Sequence, residues 1–442
     1  MDKSLRAPST VSTLGPMLII GILFFVFGFV TWLNGALIPF LQIICQLNEF
    51  QAFFVTTAFY IAYTVMALPM SFLLNLLGYK KSMLAGLLIM AVGALLFIPA
   101  AQSAWYPLFL FALFTLGTGL TILQTATNPY IVCIGPRESA AMRISIMGIV
   151  NKAAGIIVPF VFASMVLSNI DQFSAEALAK LSEVEQQVQL ATLSERLVLP
   201  YLYMTGALLL LAFFIGFAPL PELPASETAT QRDSNHLRAV LAKPQLVFGV
   251  LALFCYVGVE VIAGDTIALY GKHLAVGHFG VLTSYTMSFM VLGYVLGVVL
   301  IPRWLSQARA LQISALSGIG FSLGVIFAST DSQWLSSVLI GWLGFATVPD
   351  SVMFLALLGL ANALVWPAVW PLALEGLGKL TATGSALLIM GIAGGAVLPL
   401  TYGYLAEQSG SNQQAYWLLL PCYVFILFYA FKGHKWRQWA AG

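Results

Sequence analysis

The sequence predicts an all-α membrane protein of twelve transmembrane helices in two six-helix halves. Three observations carry that expectation. Hydrophobic residues make up 60% of the chain and charged residues only 8%, against about 25% charged in a soluble domain. So few charges cannot cover a water-facing surface, and a mean hydropathy of +0.93 agrees. Twelve apolar runs reach the roughly 20 residues that a helix needs to cross the hydrocarbon. Finally, short patterns in the first six runs recur, in the same order, in the second six.

The runs fall at about 14–44, 51–77, 81–102, 105–134, 140–168, 199–220, 245–273, 278–302, 307–329, 351–376, 380–406 and 412–432. A thirteenth apolar piece, 334–345, is too short to cross and is expected at the membrane surface. The first run is far longer than the core of a cleaved signal and reads as a retained span. With both termini inside, cytoplasmic segments hold fifteen of the nineteen Lys and Arg; the external loops hold only Lys180, Arg196 and Lys272. That satisfies the positive-inside rule. Residues 171–195 read as an amphipathic surface helix. The polar stretch 221–243 reads as a linker, which divides the chain into halves 1–220 and 245–442 joined by 221–244.

The repeat is visible in particular residues. "IMGI" occurs at 146–149 and again at 389–392, an offset of 243. Gln124, Asn128 and Pro129 fall on Trp366, Trp370 and Pro371 at offset 242, and Gly28 and Gly35 fall on Gly258 and Asp265 at offset 230. An insertion around 329–349 accounts for the jump. Two six-span halves related by duplication are the architecture of transporters whose site lies near the midplane between the halves.

Three charges lie deep in the spans: Lys152 in span 5, and Glu260 and Asp265 in span 7. Each costs several kcal/mol at such depth on most estimates, so each is a candidate for function. Glu260 and Asp265 are five residues apart, about 140° round a regular helix. They share a site only if Gly264 opens a turn. An acid there can bind a proton, coordinate sodium together with unwound carbonyls, or merely compensate Lys152. In span 4, Gln124 and Asn128 at i, i+4 share a face and can address a polar ligand; the plainer alternative is glue between helices. In span 10, Trp366 and Trp370 share a face with Asn362 one turn earlier. Indole faces pack on sugar C–H faces while the N–H donates, although tryptophan also populates interface belts. Asn34 in span 1 and the Asn151-Lys152 pair complete the candidate ligand set.

The net charge of +2 does not point to nucleic acid. The four cysteines and four histidines make no metal or disulfide pattern. No nucleophile–base pair for an enzyme and no appended signalling domain for a receptor are readable.

"GLTILQTATNPYIVCIGP" (119–136), "FQAFFVTTAFYIAYTVMALP" (50–69), "FCYVGVE" (254–260) and "IMGIAGGAVLPLTYG" (389–403) resemble the fucose–galactose–glucose–proton symporter family, the fucose permease branch of the major facilitator superfamily. "RISIMGIVNKAAG" and "GVEVIAGDTIALYG" are most similar to its glucose/galactose and N-acetylglucosamine transporters. The resemblance implies alternating-access import of a hexose with a co-transported sodium ion or proton, no cofactor, a functional monomer, and a bacterial inner membrane. N-acetylglucosamine transport or uncoupled sugar facilitation is the alternative within the same fold. Two departures matter. Fucose permease carries an Asp in its span 1 "LND" motif and a Glu in its span 4 "ETAANP" motif; here those positions are Gly35 and Gln124. Neither titrates, so coupling is expected at Glu260 or Asp265.

Overall fold

The computed structural model describes residues 14–133, 140–167, 181–218, 234–301 and 304–439. Among them are twelve helical spans long and apolar enough to cross a membrane: Gly15–Ile44, Glu49–Ala67, Leu76–Ser103, Tyr106–Asn128, Arg143–Met165, Glu183–Phe217, Pro244–His273, Phe279–Leu300, Gln307–Phe327, Asp350–Leu374, Leu387–Ser409 and Asn412–Lys435. They are numbered spans 1 to 12. Spans 1–6 and 7–12 form the two six-helix halves, and each expected apolar run corresponds to one span.

Helices are the only solution for an isolated segment in lipid, because every backbone polar group must be satisfied internally. Where that regularity fails, the breaks lie mid-span. Span 1 is interrupted at Leu33, between helices Leu14–Trp32 and Asn34–Ile44. Span 7 widens into a π-turn at Ile262–Thr266. Span 10 is interrupted between Asp350–Asn362 and Val365–Leu374. Span 11 carries a tight 3₁₀ turn at Gly391–Ala393. Spans 2 and 3 run into each other across Gly78, whose φ of +75° lies in the left-handed region that favours glycine.

Small residues let the spans approach closely. A Cβ on Gly28 of span 1 would lie 2.0 Å from the Asn151 carbonyl oxygen of span 5, and one on Gly394 of span 11 would lie 1.8 Å from the Phe254 carbonyl of span 7. Asn151 Nδ2 also donates to the Phe24 carbonyl, at 3.3 Å. Asn151 and Gly394 are equivalent at the repeat offset of 243, and Phe24 and Phe254 at 230. The same pair of spans therefore meets at the same place in each half.

The piece expected at the surface, 334–345, forms the short helix Trp334–Leu339 and a 3₁₀ turn at Gly341–Leu343. Trp334 and Trp342 are exposed. Asp350 Oδ1 accepts from Leu335 N, at 2.8 Å, and Ser336 Oγ donates to the Val348 carbonyl, at 2.7 Å; these bonds fold the piece back onto span 10. The described part of 171–195 contains a helix, Glu183–Glu195, with a Ser182–Glu185 capping box, and this helix forms the first part of span 6. Most of the linker lies outside the described residues; its end forms the helix Ser234–Leu241. Cys45, Cys255 and Cys422 are free thiols, half-buried or buried.

Side-chain bonds that join the halves include Lys152–Glu260, Thr57 Oγ1 to the Ala396 carbonyl (3.0 Å), Ser284 Oγ to the Ile156 carbonyl (2.6 Å), Lys272 to Gln42 (2.9 Å), Asn48 to Glu407 (3.2 Å) and His273 to Glu49 (2.5 Å). They run from the midplane to the membrane face opposite the chain termini, and they close that face.

Candidate functional site

The site is built on the broken part of span 7. A π-turn inserts one extra residue per turn, and such turns recur at functional sites. Here three of its carbonyls accept side-chain hydroxyls. Ile262 O accepts from Thr266 Oγ1 (2.7 Å), Ala263 O from Thr286 Oγ1 (3.1 Å) and Gly264 O from Thr283 Oγ1 (2.8 Å). Gly264 must lack a side chain: a Cβ there would lie 2.5 Å from Cζ3 of Trp32. Span 1 presses on the same turn through Gly35, whose Cβ would lie 2.9 Å from Gly264 O and 3.3 Å from the Asp265 Cα. The two positions equivalent by the repeat, Gly35 and Asp265, thus touch across the halves.

The two acids differ in their surroundings. Glu260 Oε1 is 2.6 Å from Lys152 Nζ, and both side chains are about nine-tenths buried. The ammonium also lies 4.2 Å from the centre of the Trp32 ring, a favourable cation–π position. The Trp32 indole donates to Asn151 Oδ1 at 3.4 Å. Trp32, Asn151, Lys152 and Glu260 therefore form one bonded group spanning spans 1, 5 and 7. Asp265 is wholly enclosed, and neither of its oxygens has a hydrogen-bond partner among the described residues.

The aromatic wall starts one turn before Glu260. Tyr256 stands 6.2 Å from the Trp366 ring, and Trp366 stands 5.5 Å from Trp370. The Trp370 Nε1 donor is enclosed with no acceptor among the described residues. Asn362 accepts from the Tyr423 hydroxyl of span 12 at 2.8 Å; among the described residues its Nδ2 has no acceptor, nor has the Nδ2 of Asn34. On the other side, Gln124 Nε2 donates to the Tyr63 hydroxyl (3.0 Å), and Tyr63 stacks with Tyr60. Asn128 is half-buried. Gln124 is thus held by span 2, whereas no described side chain engages Asn128.

The structure therefore brings together Asn151, Lys152 and Glu260, and separately Trp366 and Trp370. Sequence reasoning missed Trp32, Tyr63, Tyr256, Thr283 and Thr286. Trp32 was within reach, two residues before Asn34. The hydroxyl pair at i, i+3 in "TSYT" of span 8 was also a visible signal. No group of three or more His, Cys, Asp or Glu positioned for a metal occurs among the described residues.

The Major Facilitator Superfamily model matches residues 20–399. The chain belongs to the major facilitator superfamily. Its relatives include the glucose/galactose transporter of Brucella abortus, 31% identical over 94% of this chain and 93% of the relative. They also include the L-fucose-proton symporter of Escherichia coli K12, 27% identical over 94% and 92%. Among solved structures, a variant of the E. coli fucose:proton symporter FucP superposes with a TM-score of 0.72 at 26% identity, covering 95% of this chain and 98% of that one. FucP in an outward conformation superposes with a TM-score of 0.70 at 27% identity, with the same coverage. As a member of this family the protein is a multi-pass membrane transporter, not an enzyme.

Proposed function

We propose that the protein imports a hexose, of the glucose or galactose class, by proton symport through alternating access. The observation that carries the reading is the midplane group itself: an enclosed Lys152–Glu260 pair joining the halves, with tryptophans close by. Sugars present apolar ring faces rimmed with hydroxyls. Trp366 and Trp370 supply faces for the former. The unpartnered N–H groups of Asn34, Asn362 and Trp370 are the donors that hydroxyl oxygens would satisfy. Asn151 and Lys152, with Gln124 and Asn128 of span 4, complete the polar contacts.

Two supports favour the proton over sodium. Relatives are named fucose-proton symporters. A sodium site at Glu260 and Asp265 would also draw on the carbonyls of the opened turn, and those accept from threonine hydroxyls. Coupling arises if the loaded site binds differently in the two facing states. We place the protein, as a monomer, in a bacterial inner membrane with both termini cytoplasmic and the halves divided by the 221–244 linker.

Uptake by proteoliposomes tests this. Labelled glucose, galactose and N-acetylglucosamine are offered with proton or sodium gradients imposed separately. Glucose or galactose should accumulate with the proton gradient alone. Accumulation of N-acetylglucosamine only would move the substrate class, and accumulation of none would remove the symport reading.

A further inference from the structure

The sequence left the two span 7 acids interchangeable, but their surroundings separate them. We propose that the π-turn of span 7 is a proton-selective site: Asp265 holds the proton, and Thr266, Thr283 and Thr286 keep metal cations out. Glu260 has a different task, as Lys152's partner in the contact between the halves. The assignment deepens the symport reading and rests on it only for its transport measurement.

The charges around Asp265 are few. Glu260 precedes it on the same span, Lys152 faces it from span 5, and the Tyr60 phenol faces it from span 2. Lys152 is already engaged by Glu260 at 2.6 Å. Asp265 is therefore left with no counter-ion of its own, no hydrogen-bond donor among the described residues, and no exposed surface. A carboxyl enclosed in this way is neutral only with its proton on, because an unpaired buried charge is too costly to persist. Gly35, packed against the Asp265 backbone from span 1, brings no polar side chain to relieve it.

The same turn would suit a metal cation if its carbonyls were available, since hard cations gather several oxygens. Three of them each already accept a threonine hydroxyl. Thr286 and Thr283, one turn apart on span 8, reach across to Ala263 O and Gly264 O, and Thr266 reaches back to Ile262 O. The oxygens of these hydroxyls are themselves confined. Thr266 Oγ1 also bonds the Tyr416 hydroxyl at 2.8 Å, and Thr283 Oγ1 abuts Gly35. What is left is an unpartnered carboxyl beside carbonyls already engaged by hydroxyls, a setting that suits a proton better than sodium.

Two measurements on purified protein need no sugar, so their failure is separable from failure of the hexose reading. Infrared difference spectra should show the C=O stretch of a neutral carboxylic acid in wild type and in K152M/E260Q, where no freed ammonium remains to pair with Asp265, and lose it in D265N. Absence of the band in wild type, its loss in K152M/E260Q, or its retention in D265N overturns the assignment. Thermal unfolding in sodium chloride and in choline chloride should give equal midpoints for wild type. T283V/T286V, or T286V alone if the double variant does not fold, should be stabilised by sodium. Sodium stabilisation of wild type, or none in the folded variant, overturns the exclusion role. In proteoliposomes, D265N should keep equilibrium exchange of labelled galactose and lose at least tenfold of proton-driven accumulation; undiminished accumulation overturns the proposal. If wild type exchanges no sugar, the hexose reading fails while the spectroscopic and sodium measurements still decide this one.

Discussion

Lys152 shows how far a residue-level reading extends. The chain offers one deep base and two deep acids, so an ion pair was legible, but its partner was not. Choosing between Glu260 and Asp265 depends on the phase of a helix that a π-turn has altered, and that turn depends on hydroxyls from another span. The pair's energetics are testable. Removing one member leaves a buried charge alone, which costs about 3–5 kcal/mol. Lys152→Met should therefore lower the unfolding midpoint of purified protein sharply, and Lys152→Met with Glu260→Gln should recover most of the loss. Additive losses in that cycle would show that the two do not interact. At the aromatic wall, ring packing worth about 1 kcal/mol predicts that Trp366→Ala weakens apparent sugar affinity about fivefold, read as KM in uptake assays. Unchanged KM would take Trp366 out of the sugar contact.

At the scale of elements, the twelve spans were readable because lipid imposes one length and one composition on each. The breaks were only partly readable. Gly264 marked the opened turn in span 7, Pro367, which has no N–H for the Ala363 carbonyl, marks the interruption after Asn362, and only the following Asn34-Gly35 marks Leu33. The repeat paired Gly35 with Asp265 in sequence, and only the assembled halves put them in contact. That contact is sterically exacting. A methyl group on Gly264 meets the Trp32 ring at 2.5 Å, whereas one on Gly206 in span 6 meets nothing within 4 Å. Overpacking costs roughly 1–3 kcal/mol. Gly264→Ala should thus lower thermal stability and block transport, while Gly206→Ala should leave both unchanged. Equal behaviour of the two would mean that the span 1–span 7 contact does not constrain the turn.

For the whole molecule, the architecture was legible from charge distribution and duplication, but the conformation was not, because either facing state has the same sequence. The bonds of Asn48 with Glu407 and of His273 with Glu49 close the face opposite the termini. Alternating access requires them to part in each cycle. An Asn48→Cys, Glu407→Cys pair, in protein cleared of native cysteines, should cross-link readily and stop uptake until reduced. Undisturbed uptake by the cross-linked protein would mean that substrate does not pass this face. Whether sugar and proton move together through the space between the halves is read from the external pH of lightly buffered vesicles when unlabelled galactose or glucose is added. The medium should turn alkaline on sugar addition, equally in sodium and in choline salts, and should not do so for Asp265→Asn. Sugar entry with no accompanying proton uptake, or proton uptake undiminished in Asp265→Asn, would contradict it.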